Sequence, residues 1–258
     1  MVVKEYTESG ALVVGGSSGI GLQTACHLAA AGVPRIALAG RDRRRLDAAA
    51  ATVRDHGDVD VVGVAFDAAD PAAAAAGIEE AESHLRGIDV LVCSVASSAE
   101  PDLLHDIAPE EILGVVSGQL LPPLVTTRLV VPGMYRRGSG SIVLIASDAA
   151  KVATPGESII GGAMAGIVMF ARTVALEAKR HGVRVNAVTP SLVRGTPTTE
   201  RLTSSGFSAR LFAAAEKQAH LGVAEPADVA ELVTFLAGPG ARRITGQAVS
   251  VNGGISVA

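Results

Sequence analysis

Short apolar runs alternate with longer stretches of mixed polarity along the whole chain. The apolar runs are rich in Val, Ile, Leu and Ala and do not alternate with polar residues, which is typical of strands buried on both faces of a parallel sheet. The pattern predicts strands over 11–16, 35–40, 59–66, 88–95, 141–147, 183–189 and 247–253. It predicts helices over 19–31, 42–55, 71–86, 109–135, 155–180, around 196–217 and over 226–237.

This regular succession of strands and helices predicts one α/β domain. Right-handed crossovers would build a doubly wound parallel sheet of about seven strands, with helices on both faces, in a Rossmann-like arrangement. A length of 258 residues is ample for one large domain and short for two, so we expect a single domain over 1–258. Pro122 and Pro123 interrupt the helix at 109–135, and they should kink it or mark its true start.

Composition and charge argue against several classes of protein. Hydrophobic residues make up 48% of the chain and charged residues 19%, so the chain can bury a sizeable core. No apolar run approaches the ~20 residues of a membrane span, and the start, MVVKEYTESG, lacks the apolar stretch of a secretory signal. A net charge of −4 without a basic face gives no reason to expect nucleic acid. Two cysteines make no disulfide framework, so we expect a cytoplasmic protein without a membrane partner.

The segment GGSSGIG at 15–21 follows the first predicted strand and opens the first helix. Gly15 allows a tight turn there, and Gly19 and Gly21 let the backbone approach a ligand closely. The free N–H groups and the positive dipole end of the helix would face an anion, and Ser17 and Ser18 add hydroxyl donors. In this context the segment predicts a dinucleotide phosphate site, the alternative being a plain turn between strand and helix.

The end of the second strand indicates which dinucleotide is bound. A carboxylate at that position would accept the ribose 2′-hydroxyl of NAD, but the chain has Gly40 followed by Arg41. Arg41 can pair with a 2′-phosphate, which favours NADP(H). The alternative is an arginine that only extends over the surface. The run RDRRR at 41–45 otherwise reads as the solvated first turn of a helix.

These segments resemble the short-chain dehydrogenase/reductase family, and the resemblance covers nearly the whole chain. The spacing of Gly15, Gly19 and Gly21 is similar to the family's cofactor loop, and GSIVLIAS is similar to the strand that ends in its catalytic serine, here Ser147. RVNAVTP and ITGQAVSVNGG are similar to its late strand and closing segment. The resemblance implies that Asp67 meets the adenine ring. It extends the cofactor site to Ile20, Ala96 and Pro190.

The chain departs from the family where proton transfer is expected. The family's catalytic tyrosine and lysine align with Ile160 and Met164 in SIIGGAMAG, and the continuation MAGIVMFARTVALE fixes this alignment. An Asn-Asn-Ala-Gly segment of the family aligns with CSVA at 93–96, and its water-holding asparagine aligns with Gln119. The phosphate and adenine half of the site is therefore retained, whereas the proton-transfer half is substituted.

Three residues near the expected pocket can take part in chemistry: Ser147, and Lys151 and Glu157 in the loop DAAKVATPGES. An apolar surround can shift the pKa of Lys151 or Glu157 toward neutrality, although ordinary charges in a solvated loop are the alternative. Cys93 is expected to pack as a small buried residue. No metal site is predicted.

Three functions remain open. The first is an enzyme of altered chemistry that transfers a hydride with protonation from water, or performs an isomerisation, dehydration or cyclisation. The second is a catalytically silent subunit that stabilises or regulates an active relative, with NADP(H) not bound productively. The third is an ordinary carbonyl reductase. The region 191–225, with several apolar side chains, is the expected substrate lid and favours a fairly apolar small molecule.

The resemblance also bears on assembly. In the family, the helices that align with 109–135 and 155–180 commonly pack against their copies in dimers and tetramers. We therefore expect a homodimer or homotetramer, or a hetero-oligomer with an active relative.

Overall fold

Seven parallel strands form the central sheet of the computed structural model, which describes residues 4–203 and 206–258. Their order is β3-β2-β1-β4-β5-β6-β7, which confirms the predicted doubly wound, Rossmann-like sheet. The strands are β1 (Gly10–Val14), β2 (Arg35–Gly40), β3 (Asp60–Ala65), β4 (Val90–Cys93), β5 (Gly140–Ile145), β6 (Val183–Pro190) and β7 (Ala248–Val251).

Helices cover both faces of this sheet. The α-helices that the structure describes are α1 (Gly19–Ala30), α2 (Arg43–Arg54), α3 (Pro71–Leu85), α4 (Pro109–Arg137), α5 (Ser158–Ala178), α6 (Pro197–Leu202), α7 (Gly206–Gln218) and α8 (Pro226–Ala237). One layer contains α1, α2 and α8, and the opposite layer contains α3, α4 and α5. The stretch predicted as helical around 196–217 is divided into α6 and α7.

The apolar strands divide their side chains between two cores. In β1, Leu12 and Val14 pack toward the layer of α3, α4 and α5, while Ala11 and Val13 pack toward the other layer. Successive side chains of a strand point to opposite faces, so a strand covered on both sides needs apolar residues at every position. This explains why the strand sequences do not alternate with polar residues.

Helix α4 runs without interruption across Pro122 and Pro123. The expectation that these prolines mark the start of the helix was wrong, because α4 begins at Pro109; the expected kink stays a prediction. Both prolines are buried, and α4 packs against α3, α5, β4 and β5. This tertiary packing compensates for the N–H groups that proline cannot provide to the helix.

By length and composition, α4 and the helical stretch 158–181 could each cross a membrane, although no single apolar run in the sequence suggested it. Both are layers of the α/β domain: α4 and α5 pack on each other and on the sheet, and part of each window is buried inside it. Core helices of this kind pass the same test of length and hydropathy, so the finding is weak evidence for a membrane span.

At the amino end of the sheet, the buried carboxylate of Asp89 holds three parts of the chain together. It accepts hydrogen bonds from Lys4 Nζ at 2.9 and 3.0 Å and from the N–H of Gly10 at 3.1 Å. The Nε atom of Arg137, at the end of α4, lies 3.3 Å away. The cluster joins the residues before β1, β1 itself and α4, at the end of the sheet opposite to the cleft described below.

We expect Asp89→Ala to lower the free energy of unfolding by about 2–3 kcal/mol, because it leaves the buried N–H of Gly10 without an acceptor and two cations without their carboxylate. Urea denaturation measures the change. Asp47→Ala is the matched control: Asp47 pairs with Arg43 on the exposed face of α2, where an ion pair contributes about 0.5 kcal/mol or less. Equal effects of the two substitutions would contradict the structural role of Asp89.

Candidate functional site

A cleft of about 840 Å³ lies at the carboxyl ends of the strands. It opens where the strand order reverses, with β1 at the centre and β2 and β4 on either side. Loops that leave neighbouring parallel strands in opposite directions separate at this point, and ligands of doubly wound folds bind in the crevice that results. The cleft walls come from the loops after β1 to β6, from α4 to α7 and from the segment after β7.

The glycine loop between β1 and α1 forms one end of the cleft. The N–H groups of Gly15 and Gly16 donate to the carbonyl of Ala39 at 2.8 and 3.2 Å, and Gly15 has a φ of +81°. A Cβ atom on Gly15 would lie 2.3 Å from the Ser94 carbonyl, and one on Gly21 would lie 2.2 Å from the Gly15 carbonyl. The loop therefore admits no side chain at Gly15 or Gly21.

The N-terminus of α1 faces this end of the cleft. Ser18 is the N-cap residue but makes no capping hydrogen bond with its side chain, and the first turn contains no acidic residue. The first N–H groups of α1 and its positive dipole end thus remain available to an anion. Ser17, Ser18, Gly19 and Ile20 all line the cleft. This donor set fits the pyrophosphate of a dinucleotide.

Two arginines line the cleft beyond the end of β2. Arg41 follows Gly40 and is exposed, and Arg45 on the first turn of α2 lies on the cleft with it. Asp42 accepts hydrogen bonds from the N–H groups of Arg44 and Arg45 at 2.9 and 3.2 Å, which caps α2 and fixes the turn between the two arginines. The sequence interpretation missed Arg45 because RDRRR reads equally well as a solvated turn.

The remaining predicted cofactor residues also lie on the cleft. Asp67 follows β3, and its Oδ1 accepts from the N–H of Ala69 at 2.9 Å. Ala96 lies in the loop after β4, and Pro190 ends β6. The structure thus brings together every predicted cofactor residue but Gly21, whose role is the close contact between α1 and the loop.

Ser147 lies at the end of β5, on the floor of the other half of the cleft. Its Oγ accepts a hydrogen bond from the N–H of Ala149 at 3.2 Å, which begins a 3₁₀ turn over Asp148–Ala150. Among the described residues, 4–203 and 206–258, none accepts the hydroxyl proton of Ser147 in return. The hydroxyl can therefore donate to a ligand in the cleft.

One face of α5 forms the wall beside Ser147. Glu157, Ile160 and Met164 are spaced by three and four positions, so they share this face, and all three line the cleft. Ile160 is 9% exposed and Met164 is 7% exposed, and both belong to the core that includes α3 and α4. This wall has hydrocarbon and a thioether where the resemblance predicts a tyrosine and a lysine.

Glu157 is the carboxylate of that wall. It is the N-cap residue of α5, but its side chain makes no capping hydrogen bond. Over residues 4–203 and 206–258 it has no hydrogen bond or ion pair through its carboxylate. Burial raises the pKa of the Glu157 carboxyl group above its usual range, because the surroundings disfavour the charged form.

The structure does not bring Lys151 to the cleft. Its Nζ donates to Ser250 Oγ at 2.5 Å and to the carbonyl of Ala258 at 2.9 Å, and it lies 3.8 Å from Asp148 Oδ1. Asp148 also accepts from the hydroxyl groups of Ser250 and Ser256 and from the amide of Asn252. The sequence could not show this network, because it joins the loop after β5 to a segment about a hundred positions later.

Two further buried residues lie near the Ser147 end. Gln119 on α4 lines the cleft and accepts from the N–H of Ser97 at 3.2 Å through its Oε1 atom. Burial raises the pKa of the Cys93 thiol to about 12, so this cysteine is a packing residue rather than a nucleophile at neutral pH.

The segment 191–225, of which residues 204 and 205 lie outside the described residues, covers this end of the cleft. Its two ends meet in a bridge between Val193 and Ala224. Arg201 Nη2 donates to the Ser97 carbonyl at 3.2 Å. The ring of Phe207 lies over Gly156, where a Cβ would be 2.3 Å from Cε1. The segment lines the cleft with apolar side chains, including Leu192, Val193, Leu202, Leu211 and Phe212.

Comparison with known proteins agrees with this architecture. Residues 14–256 match the family model described as enoyl-(acyl carrier protein) reductase. The (2S)-[(R)-hydroxy(phenyl)methyl]succinyl-CoA dehydrogenase subunit BbsC of Thauera aromatica is 33% identical, over 95% of this chain and 94% of that protein. The acetoacetyl-CoA reductase of Shinella zoogloeoides is 32% identical, over 95% and 97%.

A solved structure shows that the similarity extends to the three-dimensional fold. The L-sorbose reductase of Gluconobacter frateurii, complexed with NADPH and L-sorbose, superposes with a TM-score of 0.85 and 30% identity over 96% of each chain. Sheet order, glycine loop and overall similarity agree, so the chain belongs to the short-chain dehydrogenase/reductase family.

Proposed function

We propose that the chain binds an NADP(H)-type dinucleotide in the cleft and carries out an altered reaction on a fairly apolar small molecule. The observation that carries this proposal is the asymmetry of the cleft. Its phosphate half keeps the glycine loop, the helix N-terminus and Arg41, whereas its other half presents Ile160 and Met164. The dinucleotide would supply hydride chemistry there when bound.

Neither Ile160 nor Met164 can deliver a proton to an oxygen atom. Positioned acid–base catalysis contributes about 10²–10⁴-fold to a rate, which corresponds to about 3–5 kcal/mol of barrier. Hydride addition to an ordinary ketone would lose this contribution, so an ordinary carbonyl reductase is the least favoured function. A reaction that avoids this proton transfer, or takes its proton from water, does not depend on this contribution.

Of the three predicted catalytic residues, Ser147 and Glu157 line the cleft and can act on a substrate. The Ser147 hydroxyl can donate a hydrogen bond to an oxygen or nitrogen atom held beside β5. The Glu157 carboxyl group, with its raised pKa, can hold or release a proton at its oxygen atoms. These groups suit non-standard hydride transfer as well as isomerisation, dehydration or cyclisation. Lys151 is excluded from this set by its contacts with Ser250 and Ala258.

The preference for NADP(H) rests on charge. Arg41 and Arg45 line the cleft beyond β2, and Gly40 offers no carboxylate to a ribose 2′-hydroxyl. A guanidinium group binds a phosphate through charge-assisted hydrogen bonds. The solved L-sorbose reductase, a 30% identical member of the family, holds NADPH.

A silent subunit of a larger enzyme is the second candidate. The 33% identical protein of Thauera aromatica is named as a subunit of a dehydrogenase, which is the arrangement that a partner-dependent chain would have. Exposed apolar side chains also form stripes on two adjacent helices: Leu113 and Leu121 on α4, and Met169 and Leu176 on α5. We propose that these stripes form an interface, with a second copy in a homodimer or homotetramer or with an active relative.

We also place the chain in the cytoplasm. Its two cysteines, Cys26 and Cys93, are both free and buried, which suits a reducing compartment.

Calorimetric titration of the purified chain with NADPH, NADP⁺ and NADH tests the cofactor proposal. We expect micromolar binding of NADPH, weakened about tenfold by Arg41→Ala through loss of a charge-assisted hydrogen bond, with little change for NADH. Arg43→Ala is the matched control, because Arg43 pairs with Asp47 on the exposed face of α2 and does not line the cleft. No binding of any dinucleotide would contradict the proposal and favour the silent subunit.

The mass of the purified chain in solution tests the assembly. We expect a dimer or tetramer, and we expect Met169→Glu to reduce its mass, because a charge would be buried against apolar side chains. Leu221→Glu is the control, since Leu221 is exposed elsewhere on the molecule. A monomeric wild-type chain would instead require a different partner for the α4 and α5 surface.

The raised pKa of Glu157 predicts a pH-dependent effect on stability. Below about pH 4 the carboxyl group is protonated in both the folded and unfolded chain and contributes no difference. As the pH rises, the unfolded chain ionises first, so the folded chain loses stability until its own group ionises. We therefore expect Glu157→Gln to raise Tm at pH 7–8 and to leave it unchanged near pH 4. Glu231→Gln, on the exposed face of α8, should show neither effect; an increase that persists near pH 4 would contradict the assigned cause.

A further inference from the structure

The charged side chains in the Ser147 half of the cleft differ in whether they have hydrogen-bond or ion-pair partners. Its titratable lining residues are Asp148, Glu157 and Arg201. Asp148 accepts hydrogen bonds from Ser250, Asn252 and Ser256. Arg201 donates to the Ser97 carbonyl, and its Nε atom lies 3.8 Å from Glu100 Oε1. Within 4–203 and 206–258, Glu157 alone of the three has no such contact, so its charge is open to a ligand.

The neighbours of Glu157 on α5 decide which ligand charge is tolerated. Met164 occupies the position where the resemblance predicts a lysine, so this face of the helix carries no cation. Lys151 is turned toward β7 and bonded there. A positively charged ligand would therefore meet a carboxylate on this face without an ammonium group beside it.

The rest of this half offers hydrocarbon surface. Ile160 and Met164 form the wall next to Glu157, and Leu202, Leu211 and Phe212 face the cleft from the segment 191–225. A carboxylate in such surroundings is costly when unpaired, and a cation that brings its own apolar body satisfies both the charge and the walls. A strongly hydrated small cation would gain nothing from these walls.

We propose that this half of the cleft binds an apolar organic cation, an iminium or ammonium compound, whose charge is paired with the Glu157 carboxylate. The assignment rests on the proposed function and names its substrate class. It also accounts for the absence of the tyrosine and lysine that the resemblance predicts, because a cationic electrophile needs neither of them.

An iminium ion can be reduced without an acid. A hydride supplied by a bound reduced nicotinamide dinucleotide would form one new C–H bond at the iminium carbon. The π electron pair of the C=N bond would become the lone pair of a neutral amine, and the positive charge would pass to the oxidised dinucleotide. A ketone reduced in the same way would become an alkoxide and would require a proton. Hydride transfer to an iminium ion would thus require no proton from the site.

Calorimetry with two molecules of similar size tests the binding. The probes are N,N-dimethyl-tetrahydroisoquinolinium, a permanent cation that cannot be reduced, and the neutral ketone tetralone. With the chain saturated with NADPH, we expect the cation to bind about tenfold more tightly than tetralone. Glu157→Gln should abolish this preference without weakening NADPH binding, and Glu231→Gln should retain it.

Each outcome separates this proposal from the proposed function. If NADPH does not bind in the preceding titration, the proposed function fails and the cation site falls with it. If NADPH binds but the two probes bind equally, or if Glu157→Gln keeps the preference, the cation site alone is overturned. Turnover gives a second readout: we expect NADPH to be consumed with N-methyl-dihydroisoquinolinium and not with tetralone, after subtraction of the rate without protein. Equal rates with the two substrates would also overturn the proposal.

Discussion

Two close backbone contacts at the glycine loop make the whole cleft possible. The Gly15 backbone approaches the Ser94 carbonyl, and the Gly21 backbone approaches the Gly15 carbonyl, so closely that neither position has room for a Cβ atom. The first contact joins the loops after β1 and β4, and the second sets α1 directly on the turn. Together they direct the N-terminus of α1 into the crevice between β2 and β4. The direction of this helix N-terminus therefore follows from steric demands on two glycines.

Helix α5 packs into the domain with apolar side chains on the face that lines the cleft. Its cleft-facing side chains, Ile160 and Met164, also belong to the core beneath α3 and α4. Polar side chains buried there would need partners, whereas apolar ones extend the core up to the cleft floor without that requirement. A Cβ atom on Gly161 would lie 3.0 Å from the Ala149 carbonyl oxygen, and one on Gly166 would lie 3.2 Å from Leu120, so α5 packs closely on the turn after β5 and on α4. The geometry around Ser147 thus does not depend on a tyrosine and a lysine.

Most of the fold and the phosphate half of the site could be predicted from the sequence, because both depend on local patterns. The apolar run of β1 and the spacing of Gly15 and Gly21 can be recognised from neighbouring residues in the sequence alone. The direction of Lys151 could not be predicted, since it is set by Ser250 and Ala258 far along the chain. Tertiary packing likewise allowed α4 to continue across Pro122 and Pro123, so these prolines do not mark the start of the helix.

The two carboxyl groups in the loop between β5 and α5, those of Asp148 and Glu157, differ in the number of hydrogen-bond donors around them. Asp148 accepts hydrogen bonds from Ser250 in β7 and from Asn252 and Ser256 after it, so it anchors the loop that carries Ser147. Glu157 has no such donors, yet its backbone is fixed: its carbonyl accepts from Gly161 at 2.6 Å, and the preceding Gly156 accepts from the N–H of Asp102 at 2.9 Å and lies under Phe207. A carboxyl group whose charged form is disfavoured by burial is thus held in one place by a rigid surround, and such a departure from the usual pairing of buried polar groups is expected at functional sites.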